Sequence, residues 1–120
     1  MNSVLFICAG GFLGAISRYL LGIYITGLWK GDFPLGTFII NALGSFLLGL
    51  IIFHPQLFTA LGSDLKLGIG VGFLGSFTTF STFEYETLKL IEKKKRATAL
   101  AYVLLSLLAG ITAAWLTRLF

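Results

Sequence analysis

The sequence predicts an all-α integral membrane protein of four transmembrane helices. Three observations carry that expectation. Of 120 residues, 57% are hydrophobic and only 12% charged; the mean hydropathy is +0.94; and the uncharged runs come in blocks close to the length that crosses a bilayer. A span takes about 20 apolar residues, so a chain of this length holds roughly four and leaves nothing for a soluble domain. Residues 1–120 are therefore expected to form a single membrane domain. Four such helices have too little surface to enclose a wide pathway alone, so a transport function calls for a partner chain, most simply another copy.

The first span is predicted over residues 3–28, where Arg18 is the only charged side chain. Its 26 residues, at about 1.5 Å each, reach roughly 39 Å, enough to cross with tilt. The run lacks a positive n-region and an Ala-x-Ala-like cleavage site, so it is expected to remain as a span. Trp29, Lys30, Gly31, Asp32, Phe33 and Pro34 supply an interfacial aromatic, charges and turn formers. The second span, 35–53, is uncharged and ends at His54 and Pro55. A loop follows as far as Ser63 and Asp64, with Leu57, Phe58 and Leu61 resting near the headgroups. The third span is predicted over 65–90 and the fourth over 98–116, with Trp115 and Arg118 as interfacial anchors. Both termini then lie on one side.

The net charge of +4 is carried by Lys93, Lys94, Lys95 and Arg96, a contiguous run read as a solvated connector at an anionic lipid surface. No aromatic residue interleaves it, so nucleic-acid binding is excluded. Cys8 is the only cysteine, which rules out an intrachain disulfide and a cysteine-based metal site.

Span three differs from the others. It carries Gly68, Gly70, Gly72 and Gly75, and then Ser76-Phe77-Thr78-Thr79-Phe80-Ser81-Thr82-Phe83, a run of poor or middling helix formers. A break near the membrane midplane is expected. Carbonyls freed there cannot face lipid; they are buried against protein, capped by threonine hydroxyls in a healed kink, or bound to a cation. Gly10 with Gly14, and Gly68 with Gly72, have the four-residue spacing that lets helices approach backbone to backbone.

The polar residues of the spans are few. Arg18 either snorkels to the headgroups or lines an aqueous vestibule that concentrates anions, with Glu84 and Glu86 as its candidate countercharges. Asn41 shares a stripe of span two with Phe38, Gly44, Ser45 and Leu48, and its amide either bridges two helices or offers its N–H donors to an anion. Phe80 and Phe83, three apart, place their rings on one helix face flanked by Thr79 and Thr82. The positive edge of a phenyl ring stabilises an anion without the full charge that would trap it. Hydroxyls at Thr37, Ser81, Thr82, Tyr102 and Ser106 extend this set into a polar track.

Three stretches together resemble the Fluc fluoride channel family, also called CrcB. They are Gly10-Gly11-Phe12-Leu13-Gly14-Ala15-Ile16-Ser17-Arg18-Tyr19; Gly36-Thr37 with Asn41, Gly44, Phe46 and Gly49; and Gly72-Phe73-Leu74-Gly75-Ser76-Phe77-Thr78-Thr79-Phe80-Ser81-Thr82-Phe83. The resemblance implies a dual-topology homodimer of inverted subunits in the bacterial inner membrane, exporting F⁻ passively through two antiparallel pores. It implies a structural Na⁺ at the dimer centre, held by the backbone carbonyls of Gly75 and Thr78. It maps the pore phenylalanines onto Phe80 and Phe83 and the pore asparagine onto Asn41. It puts Ser81, Thr82 and Tyr102 on or near the polar track, and Arg18 and Glu86 at the vestibule and pore end.

One feature runs against dual topology. The first and third connectors hold Lys30, Lys89, Lys93, Lys94, Lys95 and Arg96, against Lys66 and Arg118 on the other side, a bias that favours one orientation. Of the competing functions, a proton-coupled exporter similar to the small multidrug resistance family needs a carboxylate in span one, and none is present. A non-transporting assembly subunit leaves Asn41 and the threonine-rich run without a purpose. An enzyme is not expected, since no nucleophile, base and orienting group converge, and the lone His54 sits at a span end.

Overall fold

The computed structural model describes residues 2–120, and among these there is helix and turn but no strand. Four segments are long and apolar enough to cross a membrane: Ser3–Leu28, Leu35–Phe53, Pro55–Glu92 and Arg96–Leu119. The first corresponds to α1 (Asn2–Leu28) and the second to α2 (Leu35–Phe53). The third is composite. A 3₁₀ turn, Pro55–Leu61, is followed by α3 (Gly62–Leu67), a π-helical stretch Gly68–Phe73, α4 (Leu74–Phe77) and α5 (Ser81–Glu92). The fourth is α6 (Arg96–Leu116), ending in a 3₁₀ turn Thr117–Leu119. What the sequence reads as loop before Ser63 is thus largely helical, because Pro55 at the first position of the turn gives up no backbone donor that a helix start needs.

The α5–α6 connector is shorter than the charge run suggests, since Arg96 already belongs to α6. Lys94 takes a left-handed φ of 61°. Its N–H reaches Ile91 O at 3.0 Å and that of Lys95 reaches Leu90 O at 2.9 Å, the paired bonds that close a helix C-terminus. Lys95 then forms an ion pair with Asp32 at 2.5 Å, tying the first connector to the third.

Glycines set how closely α1 lies on the third span. A Cβ built on Gly68 would sit 2.8 Å from Phe6 O, and one on Gly10 would sit 2.9 Å from Phe73 N. Gly14 faces Phe73 and Gly72 faces Ile7 in the same way. The two four-residue glycine pairs therefore interlock, and backbone-to-backbone contact takes the place of side-chain packing. On the other side, α2 meets α6 where Gly49 faces Thr117 and Ala114. His54, capping α2, donates from Nε2 to the carbonyl of Thr117 and pins that end. Few large apolar side chains are buried; Leu90, Ala99 and Tyr102 form a small core, with Phe33, Phe38 and Phe83 packed on it. The remaining apolar surface faces outward, as it does when the solvent is lipid.

Candidate functional site

The site is built on the interruption between α4 and α5. Thr78 is extended, at φ −82° and ψ 154°, after α4 ends at Phe77. Its N–H and its hydroxyl both donate to Leu74 O, at 3.1 and 2.9 Å. Thr79 N–H does not return to Gly75; it donates to Asn41 Oδ1 at 2.9 Å. Asn41 Nδ2 in turn donates to Thr79 O at 2.9 Å, so one side-chain amide on α2 holds both backbone polar groups of Thr79. Thr82 N–H does not return to Thr78; it donates to Thr79 Oγ1 at 3.2 Å. Each backbone N–H is a single donor, so the carbonyls of Gly75 and Thr78 are left without their helical partners.

Both residues line an inner cleft of about 410 Å³ between α2, the third span and α6. No charged side chain lines it. Asn41, Gly44, Ser45 and Leu48 come from the predicted stripe of α2, while Phe38 turns away to stack edge-on against Phe33 at 5.3 Å. Phe80 and Phe83 contribute their rings, with centroids 5.9 Å apart and planes at 44°. Phe80 precedes α5 rather than lying within it, and is 72% exposed on the single chain. Ser106 adds a hydroxyl whose oxygen is shielded from solvent and has no hydrogen-bond partner among the described residues.

A second, outer cleft of about 860 Å³ opens toward the first and third connectors. Arg18, Lys89 and Lys93 bring positive charge to it, Asp32 and Glu86 negative charge, and Thr37, Thr79 and Thr82 line its polar part. The hydrogen bond from Lys95 holds the Asp32 carboxyl below the usual carboxylate range, with the charges of Lys95 and Lys93 adding to it. Asp32 is therefore ionised and already partnered. Glu86 accepts a hydrogen bond from the Tyr102 hydroxyl at 2.8 Å. Arg18 is half-buried, and among the described residues the ion pair that forms is Lys95 to Asp32, not Arg18 to a glutamate.

The sequence-expected residues thus separate into groups. Asn41, Phe80, Phe83, Ser106, Gly75 and Thr78 lie together in the inner cleft. Arg18, Glu86, Thr37 and Thr82 lie in the outer one. Tyr102 lines neither; it is fully buried at 0% exposure, with its ring 4.9 Å from that of Phe83 and its hydroxyl on Glu86. Ser81 lines neither and sits exposed beside Thr79, hydroxyl to hydroxyl at 3.4 Å. Sequence reasoning held the Asn41 amide as either a bridge between helices or an anion donor; what it did not identify is Thr79 as its partner. The signal was present in two deficits: an amide in an apolar span lacking a partner, and a threonine-rich break with backbone groups to satisfy.

Four apolar helical spans define a multi-pass membrane protein, with two clefts lined in part by hydroxyl, amide and aromatic groups. The family model described as "CrcB-like protein, Camphor Resistance (CrcB)" matches residues 5–118, and the chain belongs to that family. Among its curated relatives is a protein of Moorella thermoacetica named Fluoride-specific ion channel FluC 1, 45% identical over 107 residues, covering 89% of this chain and 76% of the relative. Another, from Oceanobacillus iheyensis and named Fluoride-specific ion channel FluC, is 45% identical over 116 residues, 97% of this chain and 88% of its own length. A third, Fluoride-specific ion channel FluC 2 of Moorella thermoacetica, is 43% identical over 112 residues, with 93% and 90% covered.

Proposed function

We propose that this chain is a fluoride-selective channel of the bacterial inner membrane, working as a homodimer of inverted subunits with two pores and exporting F⁻ passively. The observation that carries the reading is the uncharged inner cleft, in which the unpartnered Ser106 hydroxyl, the Asn41 amide and the Phe80 and Phe83 rings converge. The names of the relatives agree with it.

Fluoride is small and strongly hydrated, so a passage must replace its water with donors. Arg18 and the nearby lysines raise the anion concentration in the outer cleft. Thr37 and Thr82 offer hydroxyls there, while Glu86 is held by Tyr102 at the wall. In the inner cleft Asn41 has one amide N–H beyond the one given to Thr79, Ser106 has its hydroxyl free, and the two rings turn positive edges to the ion. These are weak sites, from which an ion can leave. No cationic side chain lines the inner cleft to trap it. Ser81 and Tyr102 support this lining, the first through Thr79 and the second by fixing Phe83 and Glu86.

The carbonyls of Gly75 and Thr78, stripped of their helical donors, suit a hard monovalent cation, and they are the residues that would hold a structural Na⁺. A bound Na⁺ would supply a fixed positive charge beside the pores. The interruption at Thr78 is read as the midplane break, which in an inverted pair would meet its counterpart.

Fluoride-electrode measurement of efflux from liposomes holding the purified protein tests the proposal. Rapid F⁻ efflux with Cl⁻ retained is expected, and Phe80→Ile lowers it. Equal efflux of the two anions, or no efflux from folded dimers, refutes it. Single cysteines placed in a connector of a Cys8→Ser background should label from both sides of the vesicle; labelling from one side only would rule out inverted subunits.

A further inference from the structure

The two clefts have one lining residue in common, and it is Thr79. From this we infer that Thr79 is the threshold residue of the pathway: its hydroxyl passes the ion from the outer cleft to the inner one. The inference rests on the reading of the chain as a fluoride channel, and assigns to that pathway a residue with a position no other residue shares.

The bonds around Thr79 say how it would act. Asn41 occupies both backbone groups of Thr79 at 2.9 Å, so its peptide is held in place and offers no donor of its own. What remains for an ion is the side-chain hydroxyl. Its oxygen accepts the Thr82 N–H at 3.2 Å, which fixes the oxygen at the start of α5. Its proton rests against Thr82 Oγ1 at 3.1 Å, with Ser81 Oγ 3.4 Å away. A hydroxyl proton rotates freely about the C–O bond, and its resting partner is another hydroxyl that water can serve in its stead. It can therefore swing to an arriving anion and swing back when the anion leaves. The order of donors along the route is then Thr82 in the outer cleft, Thr79 in both, and Asn41 in the inner cleft. Asn41 has two parts in this scheme: a spare N–H for the ion and, through the clasp, the positioning of Thr79.

The test compares wild type, Thr79→Val and Thr79→Ser as purified dimers in liposomes, read by fluoride-electrode efflux. Valine keeps the branched shape and loses the O–H; serine keeps the O–H. The expected result is a fall of about tenfold or more for Thr79→Val, the lower end of what one charge-assisted hydrogen bond is worth, with Thr79→Ser within about threefold of wild type. Thr79→Val at the wild-type rate overturns the inference, and so does a folded Thr79→Ser as impaired as Thr79→Val. If Thr79→Val does not assemble, Thr79→Cys in a Cys8→Ser background replaces it. Modification by a small methanethiosulfonate reagent should then block efflux, and fluoride should slow the modification; modification without effect on efflux overturns the inference. A wild-type protein that carries no fluoride overturns the channel reading and this inference together, whereas a conducting wild type with an insensitive Thr79→Val sinks only the latter.

Discussion

Removing the Asn41 amide separates its two parts most clearly. In Asn41→Ala the N–H and C=O of Thr79 both lose partners that are 2.9 Å away. Side-chain hydrogen bonds inside membrane proteins average about 0.6 kcal/mol, with a ceiling near 1.7 kcal/mol, so the pair is worth about 1–3 kcal/mol of stability. The larger penalty for a buried polar group left wholly unpaired, about 1–3 kcal/mol each, does not apply in full, because the groups border a cleft that water can enter. Flux should fall further than stability does. The ion loses the spare amide N–H, a charge-assisted bond of about 1.5–3 kcal/mol, which is about 10- to 100-fold in rate. The assay pairs fluoride efflux with thermal unfolding in detergent. Asn41→Asp sharpens it: when ionised it still accepts from Thr79 N–H, but it cannot donate to Thr79 O and sets a negative charge in the anion's path. It should therefore abolish flux, with a loss of stability at least as large as the alanine's, because the carboxylate is poorly solvated in this uncharged wall and faces the Thr79 carbonyl. Asn41→Ala with wild-type efflux and wild-type unfolding would refute the reasoning outright.

Three other perturbations probe separate parts of the structure. Ser106→Ala should leave unfolding unchanged within about 0.5 kcal/mol, since the hydroxyl has no partner among the described residues, while lowering efflux severalfold; a stability loss with intact flux would contradict its assignment to the ion path. Gly72→Leu should abolish folded protein, because a Cβ there already strikes the backbone at Ile7 and its neighbour is main chain that cannot rotate away; gel filtration of the solubilised protein reads this. Asp32→Asn removes the strap between connectors but touches an exposed pair, so efflux should stay within about fivefold of wild type and the remaining difference should shrink at high salt. The sign of its pH dependence follows from the lowered carboxyl pKa: the strap is fully present above the ordinary carboxylate range and is lost only as the pH falls through the depressed value, so any effect of Asp32→Asn disappears in strong acid.

The spans were legible in the sequence because the bilayer imposes one rule, a long run that is mostly apolar, and Leu35–Phe53 obeys it without a single charged residue. The glycine pairs were legible for a related reason: four-residue spacing puts two gaps on one face, and Gly10 and Gly14 do meet the third span there. Tyr102 shows where such reasoning stops. Its hydroxyl was grouped with that of Ser106 in one polar track, but the sequence does not reveal that Glu86, 16 residues earlier in the chain, accepts from the Tyr102 hydroxyl, while the Ser106 hydroxyl has no partner among the described residues. Arg18 and Glu86 do come to the same cleft, yet among the described residues they form no ion pair, and Glu84 does not line that cleft. The π-helical stretch Gly68–Phe73 had no sequence signal beyond its glycines, and those lie where α1 approaches the backbone directly.

The strongest physical argument for a second chain comes from the carbonyls, more than from the size of the bundle. Gly75 is exposed on the single chain, and a Cβ built on it would meet nothing within 4 Å. Its carbonyl and that of Thr78 have lost their helical donors to Asn41 and Thr79. Within hydrocarbon an unsatisfied backbone carbonyl is worth several kcal/mol of destabilisation, and lipid supplies no donor to relieve it. Water that enters the inner cleft reaches these carbonyls, but Phe80 and Leu107 beside them are apolar and give it few further partners, so its relief is partial. A partner bringing the same two carbonyls from the opposite direction, with the proposed cation between them, would remove the deficit for both chains at once. On the proposed reading the dimer and the cation would be linked. Purification in a medium where a bulky organic cation replaces Na⁺ should lower dimer stability together with fluoride flux, and loss of one without the other would separate what the carbonyls join.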